Sequence, residues 1–166
     1  MSILPAKSRF NSERGFTLVE AIVALVVLSV ALIPVLQLSD SSLRAATTIR
    51  DDMIAAGLAQ EGIEVVRTIR DANWFNGQAF ATGLANGTYR VEWNSTSLIS
   101  LGSNPPLKLN NGVYNYTIGT DTQFYRTITI LGISSSELKI TSQVSWTARG
   151  NDVKTVQAEE HLFDWK

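Results

Sequence analysis

The stretch RGFTLVEAIVALVVLSVALIPVLQL, residues 14–38, decides how the rest of the sequence is interpreted. No charged residue occurs from 21 to 39, and the first 16 of these positions are apolar except Ser29 and Pro34. As a helix rising about 1.5 Å per residue, the 23 residues from Phe16 to Leu38 can cross a bilayer core of roughly 30 Å. The sequence therefore predicts a membrane-spanning helix, kinked at Pro34.

The residues before this helix form a short basic leader, 1–15, in which Lys7, Arg9 and Arg14 outnumber Glu13. Basic residues mark the cytoplasmic side of a membrane span. We therefore expect a single pass through the cytoplasmic membrane, with the rest of the chain outside the cytoplasm. The apolar run continues into further helical sequence instead of ending at the small-residue site of a cleaved secretory signal, which predicts an anchor that stays.

Glu20 is the unusual residue of this segment, because a charge at the centre of a membrane helix costs on the order of 2.5–3.5 kcal/mol. The carboxylate needs a positively charged partner, unless it lies in the interfacial region of a plain signal anchor. The run from Arg14 to Glu20, followed by a long apolar helix, resembles the class III leader of type IV pilins and pseudopilins.

This resemblance implies that a prepilin peptidase cuts after Gly15 and methylates the new amino terminus on Phe16. Glu20 then becomes the fifth residue of a mature chain of 151 residues. In the family, the proposed partner of this carboxylate is the amine of a neighbouring subunit, and one buried pair of this kind can set the register between helices. The resemblance thus assigns Gly15 and Phe16 to cleavage and N-methylation, and Glu20 to assembly.

Residues 39–72 are predicted to continue the helix as an amphipathic segment, since no proline occurs between Ser39 and Arg70. Two apolar stripes lie on nearly opposite sides: Ile49, Met53, Ala56 and Ile63, and then Ile54, Leu58, Val65 and Ile69. One stripe is expected to pack on the sheet and the other on neighbouring helices, although a helix buried within a single domain would also carry both. Gly57 and Gly62 indicate local fraying or close approach of another element.

Residues 73–166 alternate apolar and polar positions over short runs, which predicts a globular antiparallel β head. The predicted strands are Thr88–Trp93, Leu107–Leu109, Val113–Ile118, Phe124–Leu131, Leu138–Thr147 and Val153–Phe163. The segment Asn110-Asn111-Gly112 predicts a hairpin turn. Trp93, Trp146 and Trp165 are expected to pack on the sheet. The fold class is therefore α+β, with a long N-terminal helix packed on a C-terminal antiparallel sheet of four to five strands.

Composition excludes several classes of function. The chain has 14 Lys and Arg against 15 Asp and Glu, and no basic run interleaved with aromatic residues, so nucleic-acid binding is not expected. It has no Cys and a single His, His161, so no disulfide, cysteine zinc site or multi-histidine metal site is expected. No catalytic motif is recognisable. We expect no enzymatic activity, no cofactor and no metal.

A narrower resemblance, to minor pilins of the prepilin-type modification group, rests on AQEGIE at 59–64, FYRTITI at 124–130, LKITSQVSW at 138–146 and FDW at 163–165. It implies a structural subunit of a type IV pilus-like filament that is found in the membrane and then in a periplasmic or extracellular filament. Its partners would be prepilin peptidase, other pilin subunits and an inner-membrane assembly platform. The alternatives are a pseudopilin of a type II secretion or DNA-uptake system, or an adhesin displaying Trp74 and Phe75.

Overall fold

A computed structural model describes residues 15–165, so the leader positions 1–14 lie outside the described residues. One helix and eight strands follow one another along the chain: α1 Leu18–Phe75, β1 Gly87–Arg90, β2 Ile99–Ser100, β3 Lys108–Asn110, β4 Val113–Asn115, β5 Thr120–Asp121, β6 Tyr125–Ser134, β7 Glu137–Thr147 and β8 Val153–Phe163. The chain divides after Ala45 into two compact units.

In the first unit, the described residues form the N-terminal part of α1 and the three residues before it. The helical backbone continues through Pro34. The apolar side chains of this part are exposed along its whole length. This helix is long and apolar enough to cross a membrane, as the sequence predicts, and none of the apolar stretch is buried within the protein.

The second unit is built on a five-stranded antiparallel sheet with strand order β2-β1-β6-β7-β8, which confirms the predicted fold class. The longest pairing joins β7 to β8, in register from Glu137 opposite Phe163 to Thr147 opposite Val153. Alternate residues of β7 point to the helix, and Ile140, Val144 and Trp146 are buried there as the alternation predicts. The C-terminal part of α1 lies on this face of the sheet.

The two stripes of α1 have different environments in the second unit. Leu58, Val65 and Ile69 are buried against the sheet, whereas Ile49 and Met53 are 58% and 70% exposed. The alternative of a fully buried helix is therefore wrong. Ile63 shares a predicted stripe with Ile49 and Met53 but is buried, because the sheet covers a wider arc of the helix near its C-terminal end.

The two glycines Gly57 and Gly62 of α1 lie at different distances from the sheet. A Cβ atom on Gly62 would lie 2.5 Å from Ser142 Oγ and 2.7 Å from Ile128 Cδ1, whereas a Cβ atom on Gly57 would meet nothing within 4 Å. We expect Gly62→Ala to lower the free energy of unfolding by about 1–3 kcal/mol through overpacking. Gly57→Ala should raise it by about 0.5–1 kcal/mol, because alanine favours the helix.

Urea unfolding of the full chain in detergent, followed by tryptophan fluorescence, measures both effects. The double variant Gly62→Ala/Ser142→Ala should recover part of the loss, because it removes the nearest clashing atom. Equal shifts of the unfolding midpoint for Gly57→Ala and Gly62→Ala would contradict this account of the helix–sheet contact.

An ion pair between a buried arginine and a half-buried glutamate also joins α1 to the sheet. Arg126 of β6 is fully buried, and its Nη1 donates hydrogen bonds to Glu61 Oε1 at 2.8 Å and to Leu58 O at 3.1 Å. Its Nη2 donates to Val91 O at 2.6 Å. Burial raises the pKa of the neighbouring Tyr116 hydroxyl, which keeps its proton and donates to Arg126 O. This arginine was not predicted as a core residue.

The second, smaller sheet has three strands in the order β4-β3-β5. The predicted hairpin joins β3 to β4 through Asn111 and Gly112, whose φ angles are 49° and 83°. Positive φ at both central positions is typical of the type I′ turn that Asn-Gly favours. Strand β4 ends at Asn115, earlier than predicted, because Asn115 Oδ1 accepts hydrogen bonds from the N–H groups of Thr117 and Ile118 and turns the chain.

Two of the three tryptophan predictions are wrong. Trp146 is buried, but the strand predicted to reach Trp93 ends at Arg90, because a turn closed by a hydrogen bond from Ser95 N to Glu92 O follows it. Trp93 is consequently 57% exposed. Trp165 lies beyond the end of β8 and is 69% exposed, with its ring edge-on to Trp74 at 4.7 Å between centroids.

Candidate functional site

The predicted processing site lies immediately before the first turn of α1. Thr17 caps the helix: its Oγ1 accepts a hydrogen bond from Glu20 N at 3.2 Å, and its carbonyl accepts one from Ala21 N at 3.1 Å. A Thr followed three residues later by Glu is a known signature of a helix N-terminus. The sequence carried this signal at Thr17 and Glu20, but the capping role of Thr17 was not predicted. The cap makes the helix begin at Leu18, two residues after Phe16.

Gly15 and Phe16 precede the helix and have no regular secondary structure. Phe16 is exposed, and a Cβ atom on Gly15 would meet nothing within 4 Å of the described chain. Among the described residues, 15–165, there is therefore room for a side chain at position 15. The peptide bond between the two residues is open to an approaching enzyme.

Glu20 lies in the first turn of α1, where the free N–H groups give the helix its partial positive charge. Its neighbours Leu18 and Val19 are exposed apolar residues. Within residues 15–165, Glu20 forms no ion pair. The first turn therefore presents a carboxylate at the head of an exposed apolar surface, and the helix dipole neutralises only part of its charge.

A second exposed apolar surface lies on α1 within the second unit. It is a shallow groove lined by Ala46, Ile49, Arg50, Met53 and Ile54. Arg50 is the one ionisable residue among them. Exposed apolar patches with a polar rim are typical of protein–protein contacts. Ile49 and Met53 of this groove belong to the stripe of the helix that the sheet leaves uncovered.

Several ion pairs lie on the surface of the head. His161 Nδ1 lies 2.6 Å from Glu137 Oε1, and its Nε2 lies 3.7 Å from Glu159 Oε1. A hydrogen bond from Lys139 lowers the pKa of Glu159. Among residues 15–165, no group of three His, Cys, Asp or Glu side chains is arranged to hold a metal ion.

Comparison with protein families identifies the N-terminal region. Residues 10–36 match the family model described as the prokaryotic N-terminal methylation motif, and Gly15, Phe16 and Glu20 all fall within the match. No curated protein and no solved structure matches the chain significantly. The motif implies processing by prepilin peptidase and assembly with pilins, and together with the apolar helix it indicates a location in a membrane and then in a filament. This motif is the mark of the type IV pilin and pseudopilin superfamily, whose members are typically structural subunits without enzymatic activity.

Proposed function

We propose that this protein is a minor pilin, a structural subunit of a type IV pilus-like filament. The observation that carries the proposal is the matched methylation motif, with Glu20 at the head of an exposed apolar helix. In this proposal residues 1–15 are the leader, 16–38 the membrane and filament-core helix, 39–72 the amphipathic helix, and 73–166 the globular head.

The first step is removal of the leader by prepilin peptidase. Hydrolysis of the peptide bond between Gly15 and Phe16 leaves a carboxylate on Gly15 and a new amine on Phe16. The same enzyme then transfers a methyl group to this amine from a sulfonium methyl donor, and the amine loses a proton. The open, non-helical backbone at these two residues supports this step, because a protease needs access to the bond. The empty space around Gly15 supports the view that the enzyme, rather than the fold, requires glycine at this position.

The second step is transfer from the cytoplasmic membrane into a filament through an inner-membrane assembly platform. In a bundle of apolar helices, an unpaired carboxylate is strongly destabilising, and an ammonium group brought next to it is stabilising. The amine of Phe16 on a neighbouring subunit can supply this charge to Glu20. The pair then fixes the axial position of one helix relative to the next.

The outer groove at Ile49 and Met53 provides a further contact between subunits. These side chains lie on the face of α1 opposite to the sheet, so they remain available after the head has folded. Burial of apolar surface in this groove stabilises the contact between subunits by about 25 cal/mol per Å². Helix packing in the filament therefore extends beyond the membrane segment.

The test is the intact mass and N-terminal sequence of the protein recovered from its native membrane and from sheared filaments. We expect a chain of 151 residues that begins at Phe16 and carries one additional methyl group. A Gly15→Leu variant should keep the full length of 166 residues. A wild-type chain that begins at Met1 would overturn the proposal. A mature chain absent from sheared filaments, but needed for export of a secreted protein, would favour the pseudopilin alternative.

A further inference from the structure

A cleft lies in the head, between the turn after β1 and the hairpin of the small sheet. It has a volume of about 360 Å³, within the range of small-ligand sites. The residues that matter for its chemistry are Glu92, Trp93, Asn94, Asn110, Asn111 and Ile118. Residues 92–94 and 110–118 are distant in sequence, so the cleft exists only in the folded head.

Trp93 forms the apolar wall of this cleft, and its position is fixed by the turn that carries it. Glu92 N donates a hydrogen bond to Ser95 Oγ at 2.8 Å, and Ser95 N donates to Glu92 O at 3.0 Å. Glu92 Oε1 accepts a further bond from Tyr116 N at 2.9 Å, which ties the turn to the small sheet. These hydrogen bonds fix the turn, and the turn exposes the indole of Trp93 to solvent, where its ring is available to a ligand.

The polar wall consists of side-chain amides. Within the described part of the chain, the side chains of Asn94, Asn110 and Asn111 make no hydrogen bonds. Asn115 differs, because it is buried and its Oδ1 accepts bonds from the backbone of Thr117 and Ile118, which shapes the floor of the cleft. Each free amide offers one acceptor and two donor hydrogens at the cleft surface.

We propose that this cleft binds a neutral saccharide. The indole of Trp93 stacks on the apolar C–H face of a pyranose ring, and the free amides exchange hydrogen bonds with its hydroxyl groups. Glu92 is the one ionisable residue of the lining, and its negative charge disfavours acidic sugars. This binding activity goes beyond the structural role proposed above and does not depend on it.

The experiment uses the full chain, labelled with ¹⁵N at its indole groups, in micelles of a detergent without a sugar headgroup. Cellotriose, triacetylchitotriose, lactose and sialyllactose are titrated while the four indole N–H signals are recorded by NMR. We expect at least one neutral sugar to shift the Trp93 signal, and sialyllactose to bind more weakly than lactose. Trp93→Ala should weaken binding by at least about tenfold, and Asn94→Ala or Asn110→Ala by a smaller factor.

Trp165→Ala is the matched control, because Trp165 is also exposed but lies outside the cleft. It should leave the affinity within about twofold of wild type. An unchanged signal from buried Trp146 shows that each variant remains folded. The proposal is overturned if none of the neutral sugars shifts the Trp93 signal, if Trp165→Ala loses as much affinity as Trp93→Ala, or if sialyllactose binds as tightly as lactose. Cleavage after Gly15 and filament incorporation of Trp93→Ala are measured separately, so either proposal can fail alone.

Discussion

Replacing Glu20 by alanine should leave a chain that is cut after Gly15 but enters filaments at least about tenfold less than the wild type. Loss of one partner of a buried ion pair costs about 3–5 kcal/mol, and about 1.4 kcal/mol corresponds to a tenfold change in equilibrium. In the filament proposed above, the group left unpaired is the charged amine of Phe16 on a neighbouring subunit. The measurement is the ratio of variant to wild-type subunit in sheared filaments from cells that express both.

The helix cap provides the control that this prediction needs. Glu20 also lies in the first turn of α1, so its loss weakens the interaction with the helix dipole by about 0.3–1 kcal/mol. Thr17→Val removes the acceptor of the hydrogen bond that Glu20 N donates, while keeping the Glu20 carboxylate. It should therefore enter filaments much more efficiently than Glu20→Ala. If the two variants are excluded equally, helix capping rather than charge pairing explains the requirement for Glu20.

The elements that the sequence predicts correctly are those whose signals are local. The apolar run of α1 needs no partner to be recognised, and the turn at Asn111 and Gly112 depends on the φ preferences of two adjacent residues. The β7–β8 hairpin can also be recognised from the local sequence, because inward-facing and outward-facing residues alternate over 11 residues in each strand. The burial of one side of α1 in the second unit is also a local signal, because apolar residues recur there at helical spacing.

The features that the sequence does not predict depend on contacts between distant segments. Arg126 alternates in step with Ile128 and Ile130 of β6, which places its side chain on the inner face of the sheet. A charged residue is stable there because Glu61 lies opposite. Trp93 fits an alternating pattern that the turn at residues 92–95 interrupts. The cleft combines two segments that no local motif connects. The Thr17 cap is the exception, because its signal is local.

Arg126→Met should lower the free energy of unfolding of the head by about 3–5 kcal/mol, a large share of the 5–15 kcal/mol typical of a folded domain. The substitution keeps much of the side-chain volume but removes the three hydrogen bonds to Glu61, Leu58 and Val91. Glu61 is then left as an unpaired carboxylate whose side chain is only 34% exposed. Denaturant unfolding of the full chain in detergent, followed by tryptophan fluorescence, measures the change.

Two further variants separate the buried pair from an ordinary surface charge. Lys139→Met breaks the pair with Glu159, whose nitrogen and oxygen are 2.8 Å apart on the surface, and should cost less than about 1 kcal/mol. The double variant Arg126→Met/Glu61→Leu should regain much of the lost free energy of unfolding, because an apolar pair of similar size often replaces a buried ion pair without penalty.

Arg126 Nε is buried without a partner in the described chain, which further lowers the net stability that the pair provides. If Arg126→Met and Lys139→Met unfold at the same denaturant concentration, the contact between α1 and the sheet does not depend on this pair. A large loss in Arg126→Met that the double variant recovers is the expected result, because it shows that the cost comes from the carboxylate left without its partner.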